Sequence, residues 1–156
     1  MFRRASRTRL DRVLAAIEIP ALGLWLGALC GFAFIFAPAA FALVPDTTQF
    51  ASLTATNLRS LSDVGVICGG VGIVIALVRS RDAADRTNDI IRAGLLLIAL
   101  LLVAYETFAV IPAVIAITDV HSADFAQLHQ RSTQIYGGVV VFVLAALVLA
   151  AARGDA

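Results

Sequence analysis

The residues in this chain whose types could do chemistry are Asp63, Glu106, Arg59, Arg131, His129, Gln134 and Tyr136, which all fall in or against long uncharged stretches. A charge inside a hydrocarbon layer is costly, so each such residue must find a partner or serve a function. On a helical rise of about 1.5 Å per residue, Asp63 lies ~24 Å above Arg79 and Glu106 lies ~21 Å above Arg92. Counted back from Arg153, Tyr136, Gln134, Arg131 and His129 lie roughly 26, 28, 33 and 36 Å up. The two carboxylates thus share a height, and the polar run of the last helix descends toward them. If the helices are adjacent, these seven side chains line one polar pocket able to bind or pass a small solute or ion. The opposing reading is a fastening network, in which Arg59 pairs with Asp63 at i, i+4 and Arg131 pairs with Asp124 or Glu106.

Other chemistries are weaker. His121 and His129, with Asp119 and Asp124, are metal-ligand types, but the spacing between the histidines is not that of a recognised site. Two histidines near one end of a single segment also suit axial haem ligation poorly. No cofactor is expected. Cys30 and Cys68 sit in apolar runs without a CxxC pattern and read as inert buried thiols; a disulfide between them would need adjacent helices and matching depths. No GxSxG, Walker loop, HExxH or dinucleotide fingerprint occurs, so no enzymatic activity is expected.

The elements that must position these residues are membrane helices. Of 156 residues 60% are hydrophobic and 15% charged, against about 25% charged in an ordinary soluble domain. A bilayer core needs ~20 apolar residues per crossing, and four such stretches use up nearly the whole chain. The expectation is an all-α, polytopic four-helix bundle forming one membrane domain over 1–156, with spans at about 14–38, 58–78, 92–116 and 130–152 and a basic N-terminus at 1–13. A cleaved signal peptide is the rival for the first run, disfavoured by its length and by Asp11 and Glu18 in its approach. Glu18 reads as an interfacial partner for an arginine, and Trp25 as a packing or lipid-facing ring.

The second run is uncharged only from Val64 to Val78, ~22 Å and too short to cross alone. It must extend back past Asp63 and Arg59. Asp46 followed by Gln49 resembles an N-cap with its third helical position, so one long helix from about Thr47 to Val78 is expected. Ser122 is the candidate N-cap of the last helix. Pro112 lies near the end of the third run, where it kinks or loosens the final turns.

All twelve basic residues are arginine. Arg3, Arg4, Arg7, Arg9, Arg12, Arg79, Arg81, Arg86, Arg92 and Arg153 fall on one side of the four spans, and Arg59 and Arg131 on the other. That asymmetry places both termini in the cytoplasm of a bacterial inner membrane. The arginines flank apolar runs rather than forming a basic face, so nucleic acid is not an expected partner. The lipid bilayer is. Gly23, Gly27 and Gly31 form a four-residue stripe, repeated by Gly65 and Gly69, which suits close helix packing within the bundle or the seam of a homo-oligomer. No long repeat is evident, which disfavours repeat-built transporters.

Leu24-Trp25-Leu26-Gly27, Phe36-Ala37-Pro38-Ala39-Ala40-Phe41, the proline late in the third span and Leu128-His129-Gln130-Arg131-Ser132 together resemble a known pattern. The chain is similar, from about Ala15 to Ala151, to the small membrane family catalogued as domain of unknown function 4149, related to the eukaryotic transmembrane protein 205. The resemblance implies a four-span bundle and carries a recurrent set onto Trp25, Gly27, Pro38, Phe41, His129 and Ser132. It implies no established activity. Glu106 stands where the pattern leads one to expect an uncharged polar residue. The function expected is therefore solute or ion binding at an outward-facing pocket, with an accessory or scaffold subunit as the alternative and a metal or haem protein third.

Overall fold

The computed structural model describes residues 2–44, 46–81, 86–117 and 122–152. The chain is an all-α membrane bundle: four helical rods, Arg9–Leu43, Gln49–Arg79, Arg86–Ile115 and Ala123–Ala152, are long and apolar enough to cross a bilayer. The first span consists of α1 (Phe2–Gly31), a π-helical segment Phe32–Phe36 and α2 (Ala37–Leu43). The second is α3 (Thr47–Arg79). The third is α4 (Arg86–Tyr105), a second π-helical segment Glu106–Val110 and α5 (Ile111–Ile115), and the fourth is α6 (Ala123–Ala152). The helix starts are capped as their sequences imply: the Gln49 amide donates to Asp46 Oδ1 at 3.1 Å, and the Phe125 amide to Ser122 Oγ at 3.2 Å.

Each rod packs on its neighbours in chain order, and the fourth returns to the first, closing a ring. The buried faces follow a stripe of alternating three- and four-residue steps, the spacing at which helical side chains stack on one face. In the first span it runs through Glu18, Leu22, Trp25 and Leu29; in the third through Asp89, Arg92, Leu96, Ala99, Val103, Glu106 and Val110. Val139, Val143, Ala146 and Ala150 continue it in the fourth. The middle of the bundle is apolar, with Trp25 at its centre. The second span approaches closely because it offers glycine there: a Cβ on Gly65 would fall 2.8 Å from Trp25 Nε1, and one on Gly69 2.8 Å from the same ring. Gly23, Gly27 and Gly31 behave differently. Nothing lies within 4 Å of a Cβ built on any of them, so of the two readings given for the stripes, packing inside the bundle describes Gly65 and Gly69, while no neighbour within the bundle meets the stripe of the first span.

The two π segments have one cause. Proline lacks an amide hydrogen and its ring presses on the carbonyl four residues back. The turn before Pro38 and before Pro112 widens in response: the Ala37 amide reaches back to the carbonyl of Phe32, and the Ile111 amide to that of Glu106. These segments also reveal a repeat that sequence reading alone misses. They begin at residues 32 and 106, 74 apart, and Pro38 and Pro112 share that separation. The same shift carries buried Leu22 onto Leu96, Leu29 onto Val103 and Ala76 onto Ala150, and Glu18 onto Arg92. The two helical hairpins thus share one spacing of interruptions and of buried positions. Few identities survive between them, which is why the repeat escapes notice in one dimension.

Candidate functional site

Polar members of the buried stripes gather in two layers, separated by the apolar middle. One layer lies at the arginine-rich end. Glu18 is fully buried and accepts from Arg79 Nη1 at 3.0 Å through Oε2 and from Arg92 Nη2 through Oε1. Arg92 Nη1 also donates to Asp89 Oδ1 at 2.9 Å, and Arg79 Nη2 to the backbone carbonyl of Asp11 at 2.6 Å. Three spans thus contribute to one ionic cluster. The reading of Glu18 as an arginine's partner is met, with two arginines rather than one and in the interior rather than at the rim. Arg92, counted in the sequence among the arginines that flank the apolar runs, is as deeply buried as Glu18, and so is Asp89.

The second layer surrounds Glu106, about 21 Å further along the third span from Arg92. Glu106 is 1% exposed. It opens the π segment, and its Oε1 accepts from Ser132 Oγ of the fourth span at 2.5 Å. Its Oε2 is buried and has no hydrogen-bond partner among the described residues. Beside it lies the buried hydroxyl of Tyr136, next to Ser62 and equally without a well-aligned partner. Ser62 Oγ donates to the Leu58 carbonyl at 2.9 Å and accepts from Thr107 Oγ1 at 2.9 Å. Spans two, three and four thus bring one carboxylate and four hydroxyls together, and two of those buried groups retain unused hydrogen-bonding capacity. That is an oxygen-rich site of the kind hard cations and protons occupy.

Of the seven residues expected to line a common pocket, Glu106 and Tyr136 are in this cluster. Asp63, Arg59, His129, Arg131 and Gln134 are exposed on the outside of the bundle. Arg131 lies over the Tyr105 ring, 5.3 Å from its centroid, and His129 stacks on Phe125 with centroids 6.1 Å apart. Helix rotation explains the division. Consecutive residues turn by about 100°, so Asp63 faces away when Ser62 faces in, and Gln134 points away from the side shared by Ser132 and Tyr136. Ser62, Thr107 and Ser132 are the site residues that depth alone does not find. The signal for Ser62 and Ser132 is the three- and four-residue stripe, which runs through Ser62 and Gly65 in the second span and through Ser132, Tyr136 and Val139 in the fourth; Thr107 stands off it, next to Glu106 in sequence.

His121 lies outside the described residues, and among those described no three His, Cys, Asp or Glu side chains group as a metal site. Cys30 and Cys68 are free thiols. Trp25 is wholly buried, whereas Phe41 is exposed and packs edge-on against Phe50 at 5.8 Å. A surface hollow lined by Val44, Gln49, Ser52, Leu53 and Thr56 holds no charged group.

A family model described as Domain of unknown function (DUF4149) matches residues 21–123, and the chain belongs to that family. The matched stretch contains Trp25, Gly27, Pro38, Phe41 and Glu106; His129 and Ser132 lie beyond it. No curated protein matches the chain, and no solved structure does.

Proposed function

We propose that this member of the DUF4149 family, a multi-pass membrane protein, binds one small cation, a proton or an alkali ion, at Glu106. The observation that carries the reading is the buried Oε2 of Glu106, left without a donor beside the buried Tyr136 hydroxyl, which lies next to Ser62. A carboxylate enclosed in this way lacks a counter-charge within bonding distance, and a bound proton or cation supplies it. Ser132 fixes the other oxygen, so the free lone pairs are held in place rather than left to rotate. The role this reading assigns to the layer is binding or passage, with Ser132 and Tyr136 as the oxygen partners of Glu106.

The arginine asymmetry supports an orientation with both termini cytoplasmic in a bacterial inner membrane. The Glu106 layer then lies toward the outer face, and kinship with transmembrane protein 205 belongs to the same proposal. Carbodiimide modification tests the site, since the reagent captures protonated carboxyls in apolar surroundings. On purified protein in lipid nanodiscs, peptide mass spectrometry should find the adduct on Glu106, and sodium or potassium should suppress it if an alkali ion competes with the proton. Protection by neither ion identifies the proton as the ligand. Failure of Glu106 to react at any pH, with no ion binding by calorimetry, overturns the site and leaves a scaffold role.

A further inference from the structure

The ionic cluster at the arginine-rich end lies outside the proposed cation site. Its composition is divided between the two hairpins. Glu18 and Arg79 belong to the first hairpin, and Arg92 and Asp89 to the second. Glu18 and Arg92 stand at corresponding positions of the shared 74-residue spacing, and their contact joins the two hairpins. Breaking a buried ion pair is ordinarily prohibitive because it strands a charge. Here neither side is stranded. Glu18 keeps Arg79 at 3.0 Å, and Arg92 keeps Asp89 at 2.9 Å.

The rest of the interface has matching properties. Between the ionic layer and Glu106 the second and third spans meet with Gly69 against Leu100 and Gly72 against Leu96, apolar contacts within the common core. Smooth apolar contact of this kind permits small shear between packed elements. At the other end, spans one and three are both interrupted by a π segment and a proline at equal distance from the Glu18 and Arg92 level. π-helical turns and prolines are where helices change direction.

We propose that the Glu18–Arg92 contact is a releasable latch between two rigid hairpins, closing the arginine-rich end while the Glu106 site is reached from the other. This rests on the reading of Glu106 as a cation site, since the latch gives that site a second, alternative access. The chain has its own reporter. Cys68 is buried in the core close to the hairpin interface, 6% exposed, and lies on the side of Glu106 toward the latch.

In a Cys30→Ser background in nanodiscs, a membrane-impermeant maleimide should label Cys68 slowly. Glu18→Gln, which leaves Arg79 beside Asp11 and Arg92 beside Asp89, should raise that rate about tenfold or more, the effect of shifting an opening equilibrium by ~1.4 kcal/mol. Arg92→Gln should do the same and serves if Glu18→Gln does not fold. Arg92→Lys, which keeps the charge, should leave Cys68 protected. A cysteine placed at buried Val110, in a Cys30→Ser/Cys68→Ser chain, should stay protected in every variant. Unchanged Cys68 labelling in both glutamine variants overturns the latch, as does a parallel rise at Val110→Cys, which signals general loosening. Carbodiimide labelling of Glu106 in the same samples separates the two ideas: its persistence with Cys68 protected sinks the latch alone, and its absence in the unmodified chain, with no ion binding by calorimetry, sinks the cation site.

Discussion

Gly65→Ala should destabilise the bundle, although alanine is the better helix former. On helix propensity alone the substitution would gain about 0.8–1.0 kcal/mol. The structure opposes that gain. The new Cβ would stand 2.8, 2.9 and 3.0 Å from Nε1, Cε2 and Cζ2 of Trp25, all atoms of a rigid ring that is itself completely buried. The indole cannot swing aside, so the helices must separate, and overpacking of this kind costs about 1–3 kcal/mol. Gly27→Ala is the matched control, because nothing lies within 4 Å of its Cβ, and it should be neutral or gain up to about 1 kcal/mol. Reversible unfolding in mixed micelles, followed by circular dichroism, measures both. The expected gap between the two variants is about 2 kcal/mol, and Trp25→Phe should close part of it in the Gly65→Ala background by shortening the ring. Equal stabilities for Gly65→Ala and Gly27→Ala would show that close approach at Trp25 does not hold these helices together.

Three further outcomes follow from the two polar layers. Glu18→Gln should lower stability by less than the ~3–5 kcal/mol typical of a stranded buried charge, because Arg79 and Arg92 each retain a carboxylate; Glu18→Ala, which also opens a void, should cost more in the same unfolding assay. Ser132→Ala removes the hydroxyl that donates to Glu106 Oε1 and should cost about 1–3 kcal/mol while changing the carbodiimide reactivity of Glu106. Asp63→Asn, on the exposed face of the second span, should leave both stability and Glu106 reactivity within error, whereas a loss of Glu106 labelling would place Asp63 in the site after all.

The parts of this architecture that read directly from sequence are those governed by length and hydropathy. Four apolar runs become four rods, and the shortness of the Val64–Val78 run correctly implies a helix that continues past Asp63, since no polar residue there can stop a helix capped at Asp46. Height above the membrane boundary is similarly legible: Glu106 and Tyr136 share a layer. Azimuth is where depth counting fails. Arg59, Asp63 and Gln134 stand at suitable heights on the wrong sides of their helices, while Ser62 and Ser132, one turn or less away, face inward. The buried stripe supplies the missing coordinate, and it also brings Glu18, Asp89 and Arg92 inside. The hairpin repeat stays hidden for another reason. What the two copies share is a backbone response to Pro38 and Pro112 and a burial pattern, and such features are carried by few identical residues.

The central claim is that Glu106 holds a small cation in a layer closed by Ser132, Tyr136 and Ser62. Its most direct test is residue-resolved carbodiimide labelling of the intact protein in nanodiscs across pH, with and without sodium or potassium. The account predicts modification at Glu106 that declines as pH rises, with Glu106→Gln abolishing the adduct and leaving the fold intact. Labelling spread over surface carboxylates such as Asp63 and Asp124, with Glu106 unmodified throughout and no ion binding detected by calorimetry, would contradict it.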